Sequence, residues 1–168
     1  MKTLSNSLAL LFVLLLSCGP STAAIEETAN LKQLAGTWIG EGKLMGNAAR
    51  LELKYEWVLN GKFLRLSLKN QSTTPSGGQQ VFEGHVYYAP QSDGKLAGTW
   101  FDSRGVSFAV TGTFAGDTLT VEWGSPEQEQ GKSVYRLVDS GTLEVTDSVK
   151  QKDGTWRQFA TATVKRQH

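Results

Sequence analysis

Cysteine is almost missing from this sequence: Cys18 is the only one among 168 residues. Nothing beyond it can form a disulfide or act as a thiol nucleophile. Histidine is nearly as scarce, with only His85 and the terminal His168. A zinc cage needs clustered His, Cys or spaced carboxylates, and His85 has none beside it. It reads as an ordinary surface histidine, and His168 as a frayed end. An excess of one charge is also lacking. Seventeen Lys and Arg against sixteen Asp and Glu give a net charge of +1 without a basic stripe, which argues against a nucleic-acid partner. The chain has no Gly-x-Ser-x-Gly elbow and no phosphate loop, since its glycines sit in turn dipeptides rather than ahead of helices. Glu127 and Glu129 fall in a polar loop and read as solvated. No catalytic motif emerges, so the chain is not expected to be an enzyme.

Long hydrophobic runs are absent too. The one apolar stretch, Leu8 to Leu16, is nine residues long, and a membrane-spanning helix takes about 20. Behind a short segment carrying Lys2, it matches the central region of a secretory signal peptide. Two cleavage readings stand. Leu15-Leu16-Ser17-Cys18 resembles a bacterial lipobox, which makes 1–17 the signal peptide, Cys18 a lipidation candidate and 18–30 a tether. Thr22-Ala23-Ala24 offers cleavage after residue 24 instead. Either way the expectation is export to the bacterial cell envelope, with membrane attachment through Cys18 in the first case only.

What the sequence does have is period two. Residues 25–34 allow about two turns of helix, and 31–168 form one domain. After Gly36, apolar and polar residues alternate between Gly turns, predicting strands over 37–44, 49–59, 62–70, 80–89, 95–102, 106–114, 117–124, 131–138, 142–151 and 155–165. Asn60-Gly61, Ala115-Gly116 and Asp153-Gly154 read as hairpin turns. Two longer polar loops are expected at 70–80 and 124–131. With Asn60-Gly61 as a two-residue turn, Trp57 meets Leu64, Tyr55 meets Leu66 and Leu53 meets Leu68. Glu56 meets Arg65 and Glu52 meets Lys69 on the other face. A one-residue slip destroys both patterns. Ten hairpin-linked strands with one apolar face predict an all-β, ten-stranded antiparallel up-and-down barrel. A two-sheet sandwich is the alternative, but it usually needs longer crossovers.

The predicted inner face carries Tyr55, Trp57, Leu66, Trp100, Phe108, Trp123 and Trp156, with Gly84 making room for the Trp100 indole. Asp147 is expected opposite Ala160 on the same face, joined by Gln158 opposite Val149 and by Tyr135 and Ser133. A carboxylate there is costly unless bonded or paired. The cluster is either a ligand-orienting site or an internal structural network, unless the register is wrong. Ten-stranded barrels are wide enough to leave room for a ligand, although large aromatics can fill them. The ligand-pocket candidates are therefore Tyr55, Trp57, Leu66, Trp100, Phe108, Tyr135, Asp147 and Gln158.

Gly36-Thr37-Trp38, opening the first strand after a short helix, resembles the Gly-x-Trp signature of the calycins, the group of lipocalins and fatty-acid-binding proteins. Tyr55 to Leu64, Phe82-Glu83-Gly84 and Trp100-Phe101-Asp102 extend the likeness to a family of bacterial secreted lipocalin-like barrels over about residues 30–165. The resemblance implies that Gly36 and Trp38 mark the barrel base, with Arg157 or Arg166 packed over the indole. Gly36 to Gly42 is also similar to the opening of nitrobindin-type haem-binding barrels. Those use a His in the final strand, where this chain has Trp156-Arg157-Gln158-Phe159-Ala160. No cofactor is expected. The expected function is binding of a small, largely apolar ligand. The alternatives are an interaction lipoprotein with a filled barrel and, behind it, a haem binder or a cavity enzyme using Asp147.

Overall fold

Asn60 and Gly61 take φ values of 58° and 73°, the left-handed backbone that a two-residue turn between twisted strands requires. That turn fixes the second hairpin as the sequence predicts: Trp57 opposite Leu64, Tyr55 opposite Leu66, Leu53 opposite Leu68 and Glu56 opposite Arg65. Glu56 and Arg65 form an ion pair outside. Lys69 stands opposite Glu52 but bridges at 3.5 Å to Glu83 on the other side.

The computed structural model describes residues 31–74, 76–91 and 93–168. The expected signal peptide, Cys18, the tether and the first part of the expected helix lie outside the described residues. One helical turn, 31–34, precedes ten strands. They are β1 (Gly36–Leu44), β2 (Asn47–Val58), β3 (Phe63–Thr73), β4 (Gln79–Pro90), β5 (Leu96–Asp102), β6 (Ser107–Ala115), β7 (Thr118–Gly124), β8 (Gln130–Asp139), β9 (Thr142–Lys150) and β10 (Trp156–Arg166). Each pairs antiparallel with the next, and β10 returns to β1, so the sheet closes into an up-and-down barrel without an edge.

Closure depends on glycines of β1. A Cβ at Gly40 would stand 2.0 Å from the Thr163 carbonyl oxygen, and one at Gly42 1.9 Å from that of Thr161. No other residue lets β10 come so near.

The two ends differ. At one end Leu31 and Leu34 of the helical turn are buried over Trp38, Leu53, Leu64 and Leu143. The Trp38 indole Nε1 donates to the Leu34 carbonyl at 2.8 Å. Arg166, not Arg157, covers this indole, 4.1 Å from its centroid. Gly36 beside it takes a φ of 128°, a backbone that strains any residue with a side chain, and a Cβ there would also crowd the Arg166 guanidinium at 2.8 Å. This end is solid.

Several expectations need correction. β3 runs on through Thr73 and β4 starts at Gln79, so the expected 70–80 loop shrinks to 74–78. The sixth hairpin turns one residue later, pairing Ala115 with Thr118. Trp100 pairs with Val86 rather than Gly84, yet its ring does lie over Gly84, where a Cβ would be 2.5 Å away. Both offsets shift the pairing by two residues, which keeps every side chain on its expected face. Trp156 is different: it is exposed outside the barrel, with the Lys132 ammonium 4.9 Å from its ring centroid.

Candidate functional site

The barrel is filled at the Trp38 end and open at the other. Between lies a cavity of about 430 Å³. Its mouth is set by the connections at that end, which contribute Met45, Thr74, Arg104, Glu129 and Gln151 to its lining. Because strands alternate direction, every second turn falls at the mouth, so the cavity wall is drawn from strands far apart in sequence.

Aromatic rings form one wall. Phe82 stacks on Trp100 with centroids 6.3 Å apart, and Phe108 tilts against Trp123 at 5.8 Å. Two glycines let the indoles lie flat. Trp100 covers Gly84, and Trp123 covers its partner Gly131, where a Cβ would be 1.9 Å from the ring.

Arg104 closes part of the rim. Its guanidinium bonds Asp102 and reaches Glu129 at 2.9 Å, tying the β5–β6 turn to the β7–β8 loop. It also lies 5.8 Å from the Phe82 centroid and 6.0 Å from that of Phe108, the stacking that guanidinium groups favour. Burial disfavours the Asp102 carboxylate, but bonds from Arg104 and the Trp100 indole outweigh it and hold its pKa low.

The deeper surface is polar. Asp147 stands opposite Ala160 on β10 and Ser133 on β8, as the alternation predicts. Desolvation raises its pKa to about 6, against a hydrogen bond from Ser133 that works the other way. Its side chain is partly accessible, but only from within the barrel, and it lines the cavity. Ser133 also accepts from the Trp123 indole at 3.2 Å. Tyr135 lies beside it, edge-on to Tyr55 with centroids 6.2 Å apart. Burial pushes both phenols well above their ordinary range, and neighbouring tyrosines and Asp147 add to this. The two phenol hydroxyls face each other across this edge.

Of the residues singled out from sequence, Trp100, Phe108, Tyr135 and Asp147 meet at this cavity. Tyr55 and Leu66 are buried in the solid half beneath it. Trp57 sits near the closed end, lining a shallow groove with Lys32 and Pro90. Gln158 is a correction. The β9–β10 register shifts between Gln158 and Ala160, so Gln158 pairs with Ser148 and faces outward. One extra residue in a strand reverses the alternation beyond it, which brings Arg157 and Phe159 to the mouth instead. Asn70 and Leu68 also line the cavity. They continue the inward parity of Leu64 and Leu66, so the signal was present in β3. Neither described histidine lines it: His85 points outward, its Nδ1 3.1 Å from the Ser67 hydroxyl. Among the described residues, no His, Cys, Asp or Glu cluster is arranged to hold a metal.

The barrel is similar to several solved structures, two of which share its fold over most of both chains. One is Rv2717c from M. tuberculosis, 17% identical, with a TM-score of 0.62 over 89% of this chain and 100% of that one. The other is the S-type phycobiliprotein lyase CPES from Guillardia theta, 10% identical, with a TM-score of 0.57 over 89% of this chain and 98% of that one. At these identities the likeness is one of fold. No curated protein matches the chain. A family model described as "Protein of unknown function (DUF1579)" matches residues 24–166.

Proposed function

Since the chain belongs to the DUF1579 family, whose description carries no activity, its function is read from the barrel, and we propose that it binds a small, largely apolar ligand in the open half. One observation carries this reading: the cavity of about 430 Å³, walled by Phe82, Trp100, Phe108 and Trp123 and polar at depth. Ligand sites of this kind are mostly apolar, span roughly 300–1,000 Å³ and use a few polar groups to fix orientation. The ring faces and edges left toward the cavity forfeit burial free energy, about 25 cal/mol per Å². A ligand recovers it.

The solid half supports the same reading. Trp38, Leu53 and Leu64 supply the stability of the fold, which leaves the mouth half free to stay open. A phycobiliprotein lyase built on this fold is consistent with such a barrel handling a small molecule. The proposed setting is the bacterial cell envelope, after export directed by residues 1–17 and, where Cys18 is lipidated, attached to a membrane. The role is carriage rather than catalysis.

Native mass spectrometry of the full chain purified without detergent tests this, followed by organic extraction of any adduct. The expected result is a stoichiometric small molecule that is lost on denaturation. An unliganded mass, together with failure of apolar probes to quench the cavity tryptophans, would overturn it.

A further inference from the structure

Deep in the cavity, across the barrel from the aromatic wall, is a recess of about 10 Å³ bordered by β1, β2, β3, β9 and β10, room for roughly a single water-sized atom. Its floor is made of Gly42, Ala49, Ala160 and Ala162. The small residues are not free to change at Gly42, where the β10 backbone occupies the space of a Cβ. Two polar side chains, Asn70 from β3 and Asp147 from β9, line both this recess and the main cavity. Asp147 makes none of the salt bridges among the described residues. The Asn70 Oδ1 is buried and accepts no hydrogen bond among the described residues. The recess therefore presents three oxygen acceptors from two separate strands, and Ser133 supplies Asp147 with a hydroxyl. Lys43 of β1 also borders the recess, but it is exposed and forms none of those salt bridges, so its charge does not pair with Asp147.

A buried carboxylate without a counter-charge is costly, as is a buried carbonyl without a donor. One ligand group answers both: compact, positively charged and rich in donors. A primary ammonium has three donors on one nitrogen. A guanidinium is broader and planar, and a quaternary ammonium has no donor to give.

We propose that the ligand is a primary amine with an apolar body, its ammonium seated in the recess between Asp147 and Asn70 and its body along Phe82, Trp100, Phe108 and Trp123. This rests on the carrier reading above and specifies the ligand class. The other groups around Asp147 are Tyr55 from β2, Tyr88 from β4 and Ser133 and Tyr135 from β8, all uncharged at neutral pH. Arg157, Arg104 and Glu129 line the same cavity at its mouth, where Arg104 is held by Asp102 and Glu129.

The test titrates the full chain with decylamine, decanol and decanoate at pH 7.5, each below its micellar concentration, following tryptophan fluorescence. Decylamine is cationic at that pH. It is expected to bind about ten- to a hundredfold more tightly than decanol, the worth of a charged hydrogen bond, and decanoate more weakly still. In Asp147→Asn the preference for the amine should vanish while decanol binds as before, which also shows that the variant is folded. Asn70→Leu, which keeps the volume, should reduce the preference without abolishing it and serves if Asp147→Asn does not fold. Decanol or decanoate binding as tightly as decylamine, or a preference that survives Asp147→Asn, would overturn the ammonium assignment and leave the carrier reading standing. Failure of all three probes to bind would overturn both.

Discussion

Arg166, at the end of β10, lies 4.1 Å above the Trp38 ring of β1 and, in the same pose, donates to the carbonyls of Gln33, Ala35 and Ser140. One side chain thus joins the helical turn, the first strand, the last strand and the β8–β9 turn. Arg166→Met keeps the apolar stem and removes the donors. It is expected to cost about 2–3 kcal/mol, read as a lower urea midpoint at unchanged slope. A change within about 0.5 kcal/mol would mean that the clasp is ornamental to stability.

The indole–glycine pairs make a second prediction. Gly131→Ala places a methyl group where the Trp123 ring lies, and overpacking of this kind costs about 1–3 kcal/mol. Trp123 lines the cavity, so its emission should shift as well. Combining Gly131→Ala with Trp123→Leu should restore most of the lost stability, which a double-mutant cycle measures.

Trp156 and Trp38 should separate sharply. Trp156 is 40% exposed and Trp38 fully buried. Trp156→Ala is expected to change stability by under about 1 kcal/mol, whereas Trp38→Ala should cost about 3–5 kcal/mol. Thermal unfolding of the two variants side by side decides it.

Asp147 gives a pH signature with a definite sign. Its folded pKa of about 6 lies above the ordinary value of 3.8. The folded state therefore holds the proton more tightly than the unfolded chain does. That contribution is fully present below pH 4 and is lost as pH rises through 6. Asp147→Asn should thus match wild type near pH 4 and exceed it by up to about 2–3 kcal/mol at pH 7.5. Taking the difference between the two proteins cancels the opposite trend from Asp93, Asp102, Asp139 and Asp153, whose pKa values are lowered. A difference that is flat with pH would mean that the carboxyl is not desolvated.

Cys18 governs the proposed anchoring. If the lipobox reading holds, labelled palmitate should enter the wild-type chain in a bacterial host and be absent from Cys18→Ser, which should accumulate unprocessed. Normal processing of Cys18→Ser would point to cleavage after residue 24 and a protein with no anchor there.

Most of the barrel was legible because alternation has a period of two. The Asn60-Gly61 turn carried the β2–β3 register outright. Where the turn was misplaced, at Gly116 and between β4 and β5, the error was two residues, and inward residues stayed inward. The site was less legible, and Gln158 shows why. A bulge adds one residue, reverses the parity, and leaves no mark in the pattern of Arg157-Gln158-Phe159. Asn70 was overlooked for a different reason: a polar residue at the end of an apolar strand looks like the start of a loop. Arg104 reached the rim through tertiary contacts with Glu129 and Phe108, which no local pattern encodes. The choice of Arg166 over Arg157 as the cover of Trp38 likewise needed the closure of the barrel.

The seam between β1 and β10 has a kinetic meaning. Trp38 pairs with Arg166, so the contact that closes the barrel spans nearly the whole described chain, and contacts of such long range are slow to be rewarded. Until β10 is in place, β1 and β9 are unpaired edges flanking an apolar sheet, the condition in which β-proteins join to one another. A nascent chain stopped before residue 160 would have no closed state to reach. Its fate then depends on how quickly the C-terminal strand arrives, and every residue from Ala160 to Arg166 that touches β1 acts on the yield of folded protein as well as on its stability.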